Sequence, residues 1–289
     1  MRSDFVTLIL THGRPDRVHT YYALRNSGYT GRIIIVIDNE DKTANEYRDR
    51  YGTDVVVFDK AAIAQTFDEG DNFQDRRAII YARNASFQIA KDLGYRYFVQ
   101  LDDDYIGFYY RFDQDGFYGH CTTPSLDWLF SSISDYLSVT PFASIAISQG
   151  GDHIGGGEGK KVIGTKRKAM NSFVCDTKKP FQFVGRINED VNTYTCEQRK
   201  GLLFMTIMAA QLNQKTTQSN AGGMTDLYLD SGTYVKTFYS IMYAPSCVKV
   251  SELSDPKNGH SGHARIHHKI NWNNAAPLIL SEHYKKAAP

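Results

Sequence analysis

Short apolar runs alternate with helical segments through the first third of the chain, and this alternation limits the fold more than any other feature. Phe5–Leu10 is the first run, followed by residues 32–37, 54–58 and 95–101. Runs this short, bounded by turn residues, read as strands. Within residues 32–37, those after Arg32 are β-branched and apolar on both faces, as a buried parallel strand requires. The loop Thr11-His12-Gly13-Arg14-Pro15-Asp16 precedes a helix expected to end near Asn26, with Gly28 as its stop. Proline suits a helix start and glycine a helix end. A polar helix ending at Tyr51 before Gly52, and another over residues 78–93 before Gly94, complete the pattern. Strands alternating with helices predict an α/β fold with a mostly parallel central sheet flanked by helices. Ligands of such sheets sit beyond the carboxyl ends of the strands. That edge holds the loop after Leu10, Asp38, and the triplet Asp102-Asp103-Asp104.

The 289 residues carry 33 Lys plus Arg against 32 Asp plus Glu, a net charge of +1, which excludes indiscriminate binding of nucleic acid by bulk charge. One large domain is expected, in two halves, residues 1–120 and residues 121–289. No apolar run approaches the roughly 20 residues of a membrane span. MRSDFVTLIL reads as a first strand rather than a signal peptide, so a cytoplasmic protein is expected. The 4 cysteines are scattered without a C-x-x-C pair, arguing against a disulfide framework or a structural zinc site. No G-x-G-x-x-G follows the first strand. The stretch from Ile154 to Lys161 fails as a P-loop, because Ile154 and Lys161 stand where Gly and Ser or Thr are required. Its glycines read as a mobile loop.

Asp102, Asp103 and Asp104 would repel one another at the end of a buried strand, and a divalent cation relieves that cost. Side chains alternate along an extended chain, so Asp102 and Asp104 share one side and Asp103 takes the other. Asp102-x-Asp104 can therefore grip a hard cation or bridge it to a diphosphate. A solvated acidic turn is the competing reading. Asp38 reads either as a turn-initiating acid or as a ligand contact, and Arg83 either as a helix-surface cation or as a contact.

A second acidic site follows the aromatic stretch Phe181-Gln182-Phe183. Asn188 can cap a helix whose first turn holds Glu189 and Asp190, where carboxylates are favoured. The alternative is a general base. Five of the 9 histidines lie near the carboxyl terminus: His260, His263, His267, His268 and His283. Their H-x-x-H-x-x-x-H spacing is compatible with a metal, and a phosphate contact is equally allowed.

The series of strand, Thr-His-Gly-Arg-Pro loop, Asp38, Arg83-Asn84 helix and Asp102-Asp103-Asp104 resembles a GT-A-type, Rossmann-like glycosyltransferase. The segments FVGRINEDVNTY, DLYLDSGTYVKTFYSIMYAPSCVKV and RIHHKINWNNAAPLIL resemble the TET/JBP-associated glycosyltransferases of bacteriophages. That resemblance implies a Mn²⁺ or Mg²⁺ held by Asp102 and Asp104, with His267 or His268 completing its shell. It implies a nucleotide-sugar donor, UDP-linked, contacted by Thr11, Arg14, Asp38, Arg83 and Asp103. It implies Asp190 as the base of an inverting transfer, with Glu189 as substitute, and DNA bearing a hydroxymethylated pyrimidine as acceptor.

Charge is distributed accordingly. Residues 38–120 hold 10 basic and 17 acidic side chains, a net of −7, whereas residues 151–186 hold 8 and 3, a net of +5. Residues 257–289 hold 5 and 1, a net of +4. Lys160, Lys161, Lys166, Arg167 and Lys168, with Lys178 and Lys179 beyond them, are the expected DNA contacts, each releasing a counterion if it meets a phosphate. The aromatics Tyr105, Phe108, Tyr109, Tyr110, Phe112, Phe181 and Phe183 are expected in the core.

Overall fold

The computed structural model describes residues 1–71, 76–112, 118–122, 125–153, 166–169, 172–215, 234–253, 265–277, 279–280 and 282. The first four strands are β1 (Phe5–Leu10), β2 (Arg32–Asp38), β3 (Val55–Phe58) and β4 (Tyr97–Asp102). They lie in the order β3-β2-β1-β4, all parallel. The β2 side chains from Ile33 to Asp38 are all buried, as a strand covered on both faces requires. Between the strands run α1 (His19–Asn26), α2 (Ala44–Tyr51), the short α3 (Lys60–Ala64) and α4 (Ile80–Asp92). The expected α/β architecture is therefore present. One boundary differs: α1 begins at His19, not at Pro15, because residues 12–16 bend away to form the ligand-edge loop.

The rest of the sheet is mixed. It adds β5 (Tyr105–Phe112), β6 (Tyr118–Thr122), β7 (Phe142–Gln149), β8 (Ser172–Asp176) and β9 (Leu203–Gln214). The nine strands run β3-β2-β1-β4-β8-β7-β9-β5-β6. β8 is antiparallel to both β4 and β7, and β5 is antiparallel to both β9 and β6. A division of the chain at residue 120 falls inside β6, and both β5 and β6 sit at the far edge beyond the strands of the second half.

Helix α5 (Leu126–Val139) starts on Ser125, whose side chain accepts from the Trp128 N–H. Its last carbonyls, of Leu137 and Thr140, accept from Lys179 Nζ at 2.6 and 2.7 Å. Lys179 is thus a helix-end cation. The chain continues through α6 (Glu189–Arg199), α7 (Val235–Tyr243), a separate antiparallel pair β10 (Val248–Leu253) and β11 (Arg265–Ile270), and α8 (Trp272–Ala275).

Two apolar layers hold the sheet. One gathers Phe5, Ile9, Ile33, Tyr105, Phe108 and Phe130; the other gathers Val6, Leu8, Ile34, Phe98, Phe173, Phe181 and Phe183. Burying each large apolar side chain contributes roughly 1.5–3 kcal/mol. Of the expected core aromatics, Tyr105, Phe108, Phe181 and Phe183 lie in these layers and Tyr110 packs against the first, whereas Tyr109 is only half-buried and the Phe112 side chain lies outside the described residues. Among the described residues, Cys175, Cys196 and Cys247 are free and buried, and no helix is long and apolar enough to cross a membrane.

Candidate active site

The ligand edge of the parallel strands opens into a cavity of about 230 Å³ lined by Thr11, His12, Arg14, Asp38, Phe58, Lys60, Arg77 and Ala82, among others. Three expected donor contacts, Thr11, Arg14 and Asp38, meet here. Asp38 ends β2 and accepts from His12 Nδ1 at 2.7 Å, with Lys60 Nζ at 3.4 Å. Burial raises its proton affinity, but the His12 bond and the Lys60 charge outweigh it and hold the carboxyl below the ordinary range. The same bond raises His12. Asp38 is therefore a fixed anion, not a bare turn acid. His12, Lys60 and Arg77 were not singled out by the sequence. The motif Thr-His-Gly-Arg-Pro carried the signal for His12; Lys60 and Arg77 come from segments with no pattern of their own.

Asp103 faces the same side. Its Oδ2 accepts from Thr11 Oγ1 at 2.6 Å and pairs with Arg14 Nε at 3.3 Å. Tyr47 completes the corner, its hydroxyl 2.9 Å from Thr11 Oγ1 and accepting from the Arg14 N–H at the same distance.

Asp102 points elsewhere. Its Oδ1 accepts from an Arg83 terminal nitrogen at 3.0 Å, while Arg83 Nε donates to Glu189 Oε1 at 3.0 Å. Arg83 is wholly buried, with its guanidinium 5.5 Å from the Phe173 ring centre. The surface reading of this residue is thus replaced by a buried bridge. One planar fork satisfies two carboxylates from distant parts of the chain, a geometry suited to arginine and not to lysine.

Burial pushes the Asp102 carboxyl up to about 7, with the Arg83 charge opposing and Asp104, Glu189 and Asp103 adding to the rise. Asp104 accepts from Gln214 Nε2 at 3.0 Å through Oδ2, while its Oδ1 is buried without a hydrogen-bond partner among the described residues. A strained acid beside an orphaned acidic oxygen fits a hard divalent cation. Among the described residues, no three His, Cys, Asp or Glu side chains converge as a complete cation shell. His267 and His268 in particular are not gathered with Asp102 and Asp104. Their rings lie 4.3 Å apart, and the charges acting on His268 are His267, Lys236 and Lys168. Burial first and those cations second push His268 down to about 4, so its imidazole is neutral near pH 7.

Glu189 and Asp190 open α6. Asn188 does not cap this helix with its side chain. It adopts a left-handed conformation, φ 61° and ψ 39°, and its Nδ2 donates to Ser240 Oγ at 2.6 Å. Gly185 also has positive φ, at 77°, and any Cβ there would strike Asn192 and Tyr243. The tight turn delivers both acids into the interior, with Glu189 8% and Asp190 6% exposed. Burial and the Glu189 charge raise Asp190 above the ordinary carboxylate range. A carboxylate so tuned is suited to accept a proton.

Of the expected DNA contacts, Lys160 and Lys161 lie outside the described residues, as does the glycine stretch after His153. Lys166 Nζ donates to Asn273 Oδ1 at 2.8 Å. Arg167 and Lys168 both pair with Asp152 Oδ1 at 3.3 Å.

A family model described as TET-Associated Glycosyltransferase matches residues 5–223, which include the cavity, the acidic triplet, Arg83 and both acids of α6. The chain belongs to this glycosyltransferase family. No curated protein matches significantly. Among solved structures, this TET-associated glycosyltransferase is similar to glucosyl-3-phosphoglycerate synthase from Mycobacterium tuberculosis in complex with Mg²⁺ and UDP. The identity is 8%, covering 92% of this chain and 87% of that one, with a TM-score of 0.45. It is also similar to a mannosyltransferase from Pyrobaculum calidifontis in complex with GDP-Man and Mn²⁺. There the identity is 11%, covering 84% and 74%, with a TM-score of 0.48. Likeness at this level speaks to neither substrate nor residue roles.

Proposed function

We propose that this glycosyltransferase moves a sugar from a UDP-linked nucleotide-sugar to the hydroxymethyl group of a modified pyrimidine in DNA, with inversion at the anomeric carbon. The observation that supports this most is the Arg83 bridge. Through it, the acids suited to a cation and the acids suited to proton transfer belong to one buried network.

The nucleotide enters the cavity, where Asp38, held ionised by His12 and Lys60, accepts hydrogen bonds from base or ribose. Thr11, Arg14 and Asp103 border it as a preformed corner. Asp102 and Asp104 hold Mn²⁺ or Mg²⁺, which when bound offsets charge developing on the departing diphosphate. Arg83 keeps Asp102 and Glu189 fixed. Asp190 takes the proton from the acceptor hydroxyl as that oxygen attacks the sugar, with its raised proton affinity matched to the task. Lys166, Arg167 and Lys168 flank the acceptor side.

Mass spectrometry of hydroxymethylated duplex DNA incubated with the protein, Mn²⁺ and a panel of nucleotide-sugars tests the reading. A sugar-sized mass gain on the modified pyrimidine is expected. Transfer to protein or polysaccharide with none to DNA would overturn the acceptor assignment.

A further inference from the structure

The β10–β11 ribbon stands apart from the nine-stranded sheet. In its register Lys249 lies directly opposite Lys269, and Ser251 opposite His267. Both lysines are exposed. Like charges directly opposed across an antiparallel pair are destabilising. Glu252 offers them no relief, because it lies on the alternate set of positions, with Val248 and Val250. A ribbon that keeps such a pair on its outer positions is complementary to a polyanion.

Its inner face anchors it beside α6. Val248 packs with Ala244, Cys247 and Ala275, against Ile270 and Trp272. Trp272 stacks on Tyr194 of α6, ring centres 5.7 Å apart. Helix α7, on which the ribbon rests, is tied to the start of α6 through Ser240, which donates to Asn192 Oδ1 at 2.9 Å and accepts from Asn188. Lys166 reaches Asn273, just past β11, bringing the basic segment 166–168 alongside. Lys236, at the start of α7, acts electrostatically on both Asp190 and His268. Cations from two further segments, Lys236 of α7 and Lys168, therefore lie near the ribbon, and Lys236 also acts on the candidate base.

A two-stranded β-ribbon is one of the shapes that the major groove of B-DNA admits, and the substituent at pyrimidine position 5 projects into that groove. We propose that the β10–β11 ribbon docks in the major groove of duplex DNA through its outer face, with Lys249 and Lys269 against phosphates. The proposal rests on the DNA acceptor reading above. It assigns the docking element, the groove and a role for the carboxyl-terminal region that does not involve the cation.

Fluorescence anisotropy across a NaCl series, with a hydroxymethylated duplex and its single strand, tests it on the full chain. For wild type, the duplex binds more tightly than the single strand and affinity falls with salt. The Lys249→Ala/Lys269→Ala variant loses about 2 from the log–log salt slope, near 0.9 for each phosphate contact. Lys269→Glu turns the like pair into an opposite pair. It weakens duplex binding roughly tenfold or more while its melting temperature stays level or rises. An unchanged slope and affinity in the double variant, or equal affinity of wild type for the single strand, overturns the ribbon assignment. If wild type glycosylates no DNA but modifies another acceptor, the acceptor reading fails instead.

Discussion

Replacing Arg83 by methionine deletes a buried charge while keeping most of the side chain's volume. Arg83 makes two charge-assisted bonds of 3.0 Å, to Asp102 and Glu189, and has no exposed surface. Breaking a buried pair by removing one partner costs about 3–5 kcal/mol, and two hydrogen bonds to charged groups, at roughly 1.5–3 kcal/mol each, give the same scale. We expect Arg83→Met to lower unfolding stability by about 3–5 kcal/mol at pH 8 in EDTA, which is a large share of the roughly 5–15 kcal/mol of a typical domain. The sign of its pH dependence follows from the acids left behind. Asp102 already sits at about 7, above its unfolded value of 3.8, with Arg83 present. Without that cation its folded value rises further. Stability contributed by protonation of such a group is full below the unfolded value and is lost as pH climbs through the folded one. The deficit against wild type should therefore shrink at pH 5, where Asp102 is protonated in both proteins. Urea denaturation followed by circular dichroism at the two pH values measures it. A deficit under about 1 kcal/mol at pH 8, or an equal deficit at both pH values, would refute the bridge as an energetic unit. Arg83→Lys keeps the charge without the fork and should fall between.

Three further outcomes are expected. Asp104→Asn should abolish Mn²⁺-dependent transfer with little change in melting temperature, as EDTA should for wild type; full turnover in either would sink the cation role of Asp104, whose Oδ1 is an orphaned acceptor. Asp190→Asn should lower kcat by roughly 10²–10⁴. Because burial and Glu189 raise Asp190 and the base must be ionised, the wild-type rate should climb with pH through a value above the usual carboxylate range; an acid limb near pH 4 would count against the assignment. Lys60→Met should raise KM for the donor with a smaller effect on kcat, since Lys60 helps hold Asp38 ionised; an unchanged KM would show that Asp38 does not contact the donor.

The strand–helix alternation made the parallel half of the sheet legible, because each short apolar run could satisfy its backbone only in a sheet covered on both faces. The ligand edge followed from it, and Thr11, Arg14, Asp38 and Asp103 meet there. Arg83 was harder to read. Arginine on a helix usually faces water, and only the fold reveals that two carboxylates, one of them 106 positions away, surround it. Lys60 and Arg77 escaped for the same reason: nothing local marks a lysine or arginine that tertiary packing carries into a cavity. Of the three histidines with the intervals of a cation site, His260 and His263 lie outside the described residues; His268, beside the third, has Lys236 of α7 and Lys168 acting on it. Lys179 looked like one more basic residue in a run until its ammonium met the end of α5.

The Arg83 bridge also bears on how such proteins can diversify. Its three members come from α4, the end of β4 and the start of α6, and exchanging any one alone strands a buried charge. A recombination breakpoint anywhere between residues 103 and 188 must join partners already matched across it, so the trio passes between lineages as one heritable unit. The exposed positions of the β10–β11 ribbon carry no such constraint, and ordinary point substitution can alter that surface while the trio is inherited whole.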